Sequence, residues 1–194
     1  MKAISVTPML VWTFLLIGCA DTQRDETGET ADTALIETPA AAVPAADTSG
    51  EALWARLQTE NHTSWALWPG KEKFYQGQEP HGALLITYVN ALAQDALTNG
   101  AAQMPAGAIV VKENYGPDRK LMGTTVMEKV SGYDAQHGDW FWAKYDATGK
   151  TEMSGRVEMC YGCHQGAAQY DQLWTLARDK TGKGPPPMKM EEHK

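Results

Sequence analysis

The most restrictive feature of this chain is a pentapeptide, Cys160-Tyr161-Gly162-Cys163-His164, which spells C-x-x-C-H. Two thiols separated by two residues can add to the two vinyl groups on one edge of a porphyrin. A histidine directly after the second thiol comes beneath the iron from the same turn. Gly162 leaves room where backbone and macrocycle approach closely. Other uses of such a pair fit less well. A thioredoxin-type dithiol opens a helix after a central strand of a βαβ unit, and the sequence shows no such unit. A zinc site would need a second cysteine pair, and His164 beside Cys163 is poorly placed for tetrahedral closure. The expected cofactor is one covalent haem c, with Cys160 and Cys163 as the thioether sites and His164 as the ligand to iron.

Cysteine usage agrees. The chain has three cysteines, and the third, Cys19, ends an N-terminal export signal. Lys2 supplies a positive start, and residues 9–17 (MLVWTFLLI) form an apolar core too short to span a bilayer comfortably. Leu16-Ile17-Gly18-Cys19 resembles the bacterial lipobox, in which the cysteine is acylated and becomes the mature N-terminus. A conventional cleaved signal with an incidental cysteine is the alternative. Two or three acyl chains, at ~0.8 kcal/mol per buried CH₂, anchor stably where a single chain does not. Ala20 stands second after the cleavage point, directly after Cys19, so the Asp signal for inner-membrane retention is absent. The expectation is a periplasmic protein, lipid-anchored through Cys19 to the outer membrane. That compartment permits disulfides, but Cys160 and Cys163 are committed elsewhere.

The chain divides into a signal over 1–18, a lipidated Cys and disordered tether over 19–50, a folded domain over 51–178 and a flexible tail over 179–194. The tether is rich in Thr, Ala, Asp, Glu and Pro and cannot bury enough apolar surface to offset its ordering entropy. Roughly 130 residues remain, enough for one hydrophobic core. The net charge of -7 and the lack of a basic stripe exclude nucleic acid as a partner.

Within the domain, helical spacing predicts a helix over 51–59, and segments rich in β-branched and aromatic residues, set off by turns, read as strands over 83–89, 108–113, 121–130, 139–145 and 151–157. Asn90 caps a short helix ending before Asn99-Gly100, and a last helix is expected over 167–177. Strands therefore precede the C-x-x-C-H motif, which falls in a C-terminal helical segment. That order argues against the small all-helical cytochromes and the four-helix bundle. The expected class is α+β, mainly antiparallel sheet with a few helices.

Five blocks then carry a resemblance. They are His81-Gly82 with Tyr88-Val89-Asn90, residues 104–115 (MPAGAIVVKENY), residues 125–129 (TVMEK), Gly132-Tyr133-Asp134 with residues 138–142 (GDWFW), and Cys160 to His164. Their order and spacing, over about 65–174, resemble the cytochrome P-460 family, to which the β-type cytochromes c′ also belong. The resemblance implies a β-rich, commonly homodimeric haem protein with five-coordinate iron and an open distal side. Some members oxidise hydroxylamine; others bind nitric oxide. Catalytic members carry a lysine joined to the porphyrin, which corresponds by position to Lys112. They also need a distal acid or base, for which Glu128 is the candidate.

Each residue has a plainer reading. Lys112 can extend to solvent from its strand, and Glu128 with Lys129 can form an ordinary exposed pair. Trp140 and Trp142 share one strand face and are expected in core or dimer packing. His81 and His137, each beside a glycine, are expected as structural or surface histidines. Met127 could serve as a sixth ligand, which would make the chain an electron-transfer cytochrome with no catalysis. The main expectation is a binder or oxidiser of small nitrogen species that passes electrons to a redox partner protein; a scavenger or sensor that only binds is the third possibility.

Overall fold

The computed structural model describes residues 48–181, with side chains through Ala177. The expected signal over 1–18 and Cys19 lie outside the described residues, as do the tether apart from 48–50 and the tail beyond 181. Among the described residues no helix is long and apolar enough to cross a membrane.

The chain enters through α1 (Gly50–Thr59), capped by Ser49, whose side chain accepts the Ala52 N–H. Two short strands follow, β1 (Ala66–Leu67) and β2 (Tyr75–Gln76), then β3 (Leu84–Val89) and α2 (Ala91–Thr98). A meander of four strands comes next: β4 (Ile109–Tyr115), β5 (Leu121–Lys129), β6 (Trp140–Asp146) and β7 (Thr151–Gly155). The chain ends in α3 (Glu158–His164), a 3-10 segment (Gln165–Tyr170) and α4 (Trp174–Thr181). The strands form one seven-stranded antiparallel sheet, ordered β1-β3-β4-β5-β6-β7, with β2 also paired to β3. The α+β class and the C-terminal helical position of the C-x-x-C-H motif are as the sequence predicts.

Asn90 shows how local chemistry fixes this layout. Its Oδ1 accepts the N–H of Ala93 in α2 at 3.0 Å and that of Ile109 in β4 at 3.1 Å, while its Nδ2 donates to the Gly107 carbonyl at 2.8 Å. One side chain therefore starts a helix and fastens it to the next strand.

Strand alternation sorts the sheet into two faces. On one face α1 sets Leu53 and Leu57 against Ile86, Tyr88, Val111, Val126, Phe141 and Tyr145. Burying each leucine contributes about 1.5–3 kcal/mol. On the other, Val89, Val110, Met127, Trp140 and Trp142 pack with Ala93 and Ala96 of α2 and with Leu173. This second face bears the candidate site.

The C-terminal segment departs from expectation. In place of one helix over 167–177, the chain is helical on either side of Asp171 and Gln172, which hold φ of 53° and 62°. Tertiary bonds hold this break. The Asp171 carboxylate accepts the Met104 N–H at 2.7 Å and a Lys129 Nζ hydrogen bond at 2.5 Å. Its carbonyl accepts the Trp140 indole N–H at 3.0 Å.

Candidate functional site

Cross-strand register arranges the second face in rows. One row runs Val89, Val110, Met127, Trp142 and Gly155; the next runs Thr87, Lys112, Thr125, Lys144 and Met153. A third contains Leu85, Asn114 and Gly123. Rows on one face lie two residues apart, roughly 6.5 Å. The first two rows floor a cleft. α3 and the segment after it supply the far wall, with Cys160, Cys163, His164, Leu173 and Trp174 lining it, and His81 and Pro80 also line the cleft.

His164 is the last residue of α3 and is buried. Its ring lies 4.7 Å from the Trp142 ring, at an interplanar angle of 67°. Nδ1 stands 2.6 Å from the Gln172 carbonyl oxygen. A carbonyl only accepts, so Nδ1 carries the proton and Nε2 keeps its lone pair. The break at Asp171 and Gln172 thus presents a backbone acceptor that fixes the His164 tautomer, as a histidine serving a metal requires. Burial pushes the His164 pKa down to about 4; the Gln172 bond opposes this and the Lys112 charge adds to it.

Cys160 and Cys163 both line the cleft and are unpaired thiols. Burial, and then the neighbouring Cys163, push the Cys160 thiol up to about 11. Two thiols and an imidazole with its metal-facing nitrogen deprotonated are the donor set a covalent haem needs. The walls suit a flat apolar ring: Trp68, Val110, Met127, Trp142, Leu173 and Trp174. The Trp142 indole N–H is also buried there without a hydrogen-bond partner, a donor that a bound polar group could satisfy. The residues present fit a haem, with Cys160 and Cys163 attaching it and His164 ligating its iron.

Lys112 lies in this cleft, and its charge depresses the pKa of both His164 and His81. It is not turned away to solvent. The structure therefore brings Lys112, Cys160, Cys163 and His164 together. Glu128 is elsewhere. It follows Met127 on β5, so its side chain points to the opposite face, where Oε1 pairs with Arg56 of α1 at 2.5 Å. Lys129 is not its partner; Lys129 bonds to Asp171 and its Nζ lies 4.8 Å from the Trp140 ring centre.

Three further placements differ from expectation or refine it. Trp142 packs in the core, as expected, but also forms part of the cleft wall. His137 is structural: Nδ1 lies 2.8 Å from Asp134 Oδ2, and the ring stacks on Tyr161 at 3.9 Å. His81 is neither remote nor on the surface. Its ring centre is 6.2 Å from that of His164, and its Nδ1 is 3.4 Å from Thr125 Oγ1. Burial, then the Lys112 charge and His164, push its pKa down to about 2, against an opposing pull from Asn114. The available signal was its place directly before Gly82 in the first of the five blocks. Gly82 has a φ of 101°, and a Cβ there would stand 3.0 Å from the Tyr115 carbonyl oxygen, so the turn that delivers His81 needs glycine.

No curated protein matches the chain significantly. The Cytochrome P460 family model matches residues 68–175, more than half of the chain and the whole of the cleft from Trp68 to Thr175, and the chain belongs to that family of haem-iron cytochromes.

Proposed function

We propose that this chain is an exported, lipid-anchored mono-haem c-type cytochrome that binds or oxidises small nitrogen species, hydroxylamine and nitric oxide among them. The observation that carries the reading is the shared cleft: Lys112 stands with Cys160, Cys163 and His164 on one face of the sheet. A bound haem supplies an iron that can take a small ligand and change oxidation state.

The chain's own residues do the rest. Cys160 and Cys163 fix the cofactor covalently, so it stays with a protein exposed outside the cytoplasm. His164 would ligate the iron, its Nδ1–H held by the Gln172 carbonyl; such a bond raises a ligand's basicity. Lys112, in the cleft on the sheet side, would meet the cofactor either as a cross-link to the ring or as a fixed positive charge beside it. Trp68, Trp142 and Trp174 exclude water from the cleft walls. Electrons from an oxidised substrate pass to a redox partner protein. Glu128 pairs with Arg56 on the far face of the sheet and does not line this cleft, so proton transfer there falls to other groups. The sequence supports export through residues 1–18, a lipid anchor at Cys19 and a periplasmic location on the outer membrane; the family resemblance supports a homodimer.

A second reading has one observation in its favour. Met127 lines the cleft, and methionine as the second axial ligand would make an electron-transfer cytochrome of higher potential. Purified holoprotein separates the two. Nitric oxide binding to the reduced protein, and hydroxylamine turnover with an artificial electron acceptor, support the first. A spectrum unmoved by nitric oxide in the native protein, but opened to it by Met127→Leu, supports the second.

A further inference from the structure

We infer that His81 selects the small ligand that the cleft retains. Its Nε2 is an unprotonated acceptor that holds hydroxylamine by an N–H or O–H, and it gives no such bond to nitric oxide, which has no hydrogen. This rests on the proposal that a haem is held in the cleft by Cys160, Cys163 and His164, and it leaves the sixth iron position open.

The polar groups of the cleft are unevenly matched. Among the described residues lining it, none is a carboxylate. Lys112, Lys144 and the Trp142 indole have only hydrogens to offer. His164 is committed, through Nδ1 to Gln172 and through Nε2 to the metal. Thr125 Oγ1 lies 3.5 Å from both the Lys112 carbonyl oxygen and Asn114 Nδ2. His81 supplies the one imidazole in the cleft lining that is not assigned to the metal.

Which of its nitrogens accepts follows from what holds the ring. Nδ1 faces the sheet, 3.4 Å from Thr125 Oγ1. Asn114 adjoins that hydroxyl, and its side chain hydrogen-bonds to His81, an interaction that pulls the His81 pKa upward. An amide has that effect through its oxygen, which accepts a ring N–H. Asn114 Oδ1 is buried and has no other hydrogen-bond partner. Burial and the Lys112 charge keep the ring neutral, so it has a single N–H, and Asn114 places that N–H on Nδ1. Nε2 keeps its lone pair.

The ring is also fixed in the right part of the cleft. The His81 backbone N–H donates to the Gln78 carbonyl at 3.0 Å. Thr125 pairs with Lys112 across β4 and β5, and the His81 ring centre is 6.2 Å from that of His164. The acceptor, the lysine and the metal ligand therefore address one space. A ligand that brings its own N–H or O–H finds an acceptor there, and one without hydrogens does not.

The test uses the full-length oxidised holoprotein, with no electron acceptor present, so that hydroxylamine binds and is not turned over. Affinities for hydroxylamine and for nitric oxide are measured by titration of the visible spectrum. His81→Phe, and His81→Leu should the first fail to fold, should weaken hydroxylamine about tenfold, as the loss of one hydrogen bond of ~1.4 kcal/mol requires, and leave nitric oxide within about twofold. His81→Gln keeps an acceptor oxygen and should recover part of the loss. Asn114→Leu releases the Nδ1 proton and should also weaken hydroxylamine more than nitric oxide. A merely structural role would lower both affinities together. Equal effects on the two ligands, or no effect of removing the imidazole, would overturn the inference and leave the small-ligand function standing. A holoprotein that binds neither ligand would overturn both.

Discussion

Asp171→Ala should be among the most damaging single substitutions in this domain, although Asp171 belongs to no helix or strand. Its side chain is 3% exposed and its Oδ1 lies 2.5 Å from Lys129 Nζ, whose side chain is 11% exposed. Removing the carboxylate leaves a buried ammonium without its partner, a change that costs roughly 3–5 kcal/mol. The Met104 N–H loses its acceptor as well, and an unsatisfied buried donor costs about 1–3 kcal/mol. The two losses fall on one site and are not additive, so about 3–5 kcal/mol is the expectation. A domain of this size has only about 5–15 kcal/mol in all. Urea unfolding of the holoprotein, followed by circular dichroism, measures it. Asp171→Asn keeps an oxygen for Met104 and should lose less. The double variant Lys129→Met/Asp171→Ala removes the stranded charge and should recover part of the loss. Because the Gln172 carbonyl is adjacent, Asp171→Ala should also shift the iron–histidine vibration in resonance Raman spectra. A cost under 1 kcal/mol with an unmoved vibration would refute the claim that Asp171 braces the site.

Other expectations follow from the same geometry. Glu128→Gln should leave the haem spectrum and nitric oxide binding unchanged, because Glu128 faces away from the cleft; with Arg56 about a third exposed, its stability cost should be about 0–1 kcal/mol. Lys112→Ala should alter the visible spectrum and, if Lys112 is bonded to the cofactor, remove the haem-bearing lysine peptide from a digest; an unchanged spectrum and digest would rule the cross-link out. Burial pushes the Glu113 carboxyl up, but contacts with His62 and Tyr115 outweigh it and hold the group below the ordinary 4.5. The Tyr115 bond, at 2.8 Å, is the firmer; His62 Nε2 stands off at 3.7 Å. A carboxyl held low in the folded state contributes stability above the unfolded value that is lost as pH falls through the folded one. Native protein should therefore lose stability below about pH 4.5 more steeply than Glu113→Gln, and parallel pH profiles would contradict this.

Much of the fold was legible because its causes are local. Runs of β-branched and aromatic residues between turn signals marked the strands β3 to β6, Asn90 announced α2, and the C-x-x-C-H motif named its own chemistry. The break at Asp171 and Gln172 was not legible, because Met104, Lys129 and Trp140 impose it from far away in the chain. Nor could a sequence reveal that the acceptor for His164 is a backbone carbonyl, a group every residue has. Glu128 is a different case. Met127 and Glu128 are neighbours on a strand, so the two-residue period allows only one of them onto the face that carries Lys112. Which one depends on register, and pairing of Lys112 with Thr125 selects Met127. His81 escaped because histidines in turns are usually solvated, and only the sheet's third dimension brings this one to His164.

We propose that Cys160 and Cys163 hold one haem covalently, with His164 on its iron, and mass spectrometry of the denatured, exported chain tests this. The mass should be that of the polypeptide plus one haem, retained through acid–acetone extraction and lost in Cys160→Ala/Cys163→Ala. A denatured chain at the polypeptide mass alone, with haem extracted into acetone or never bound, would contradict it.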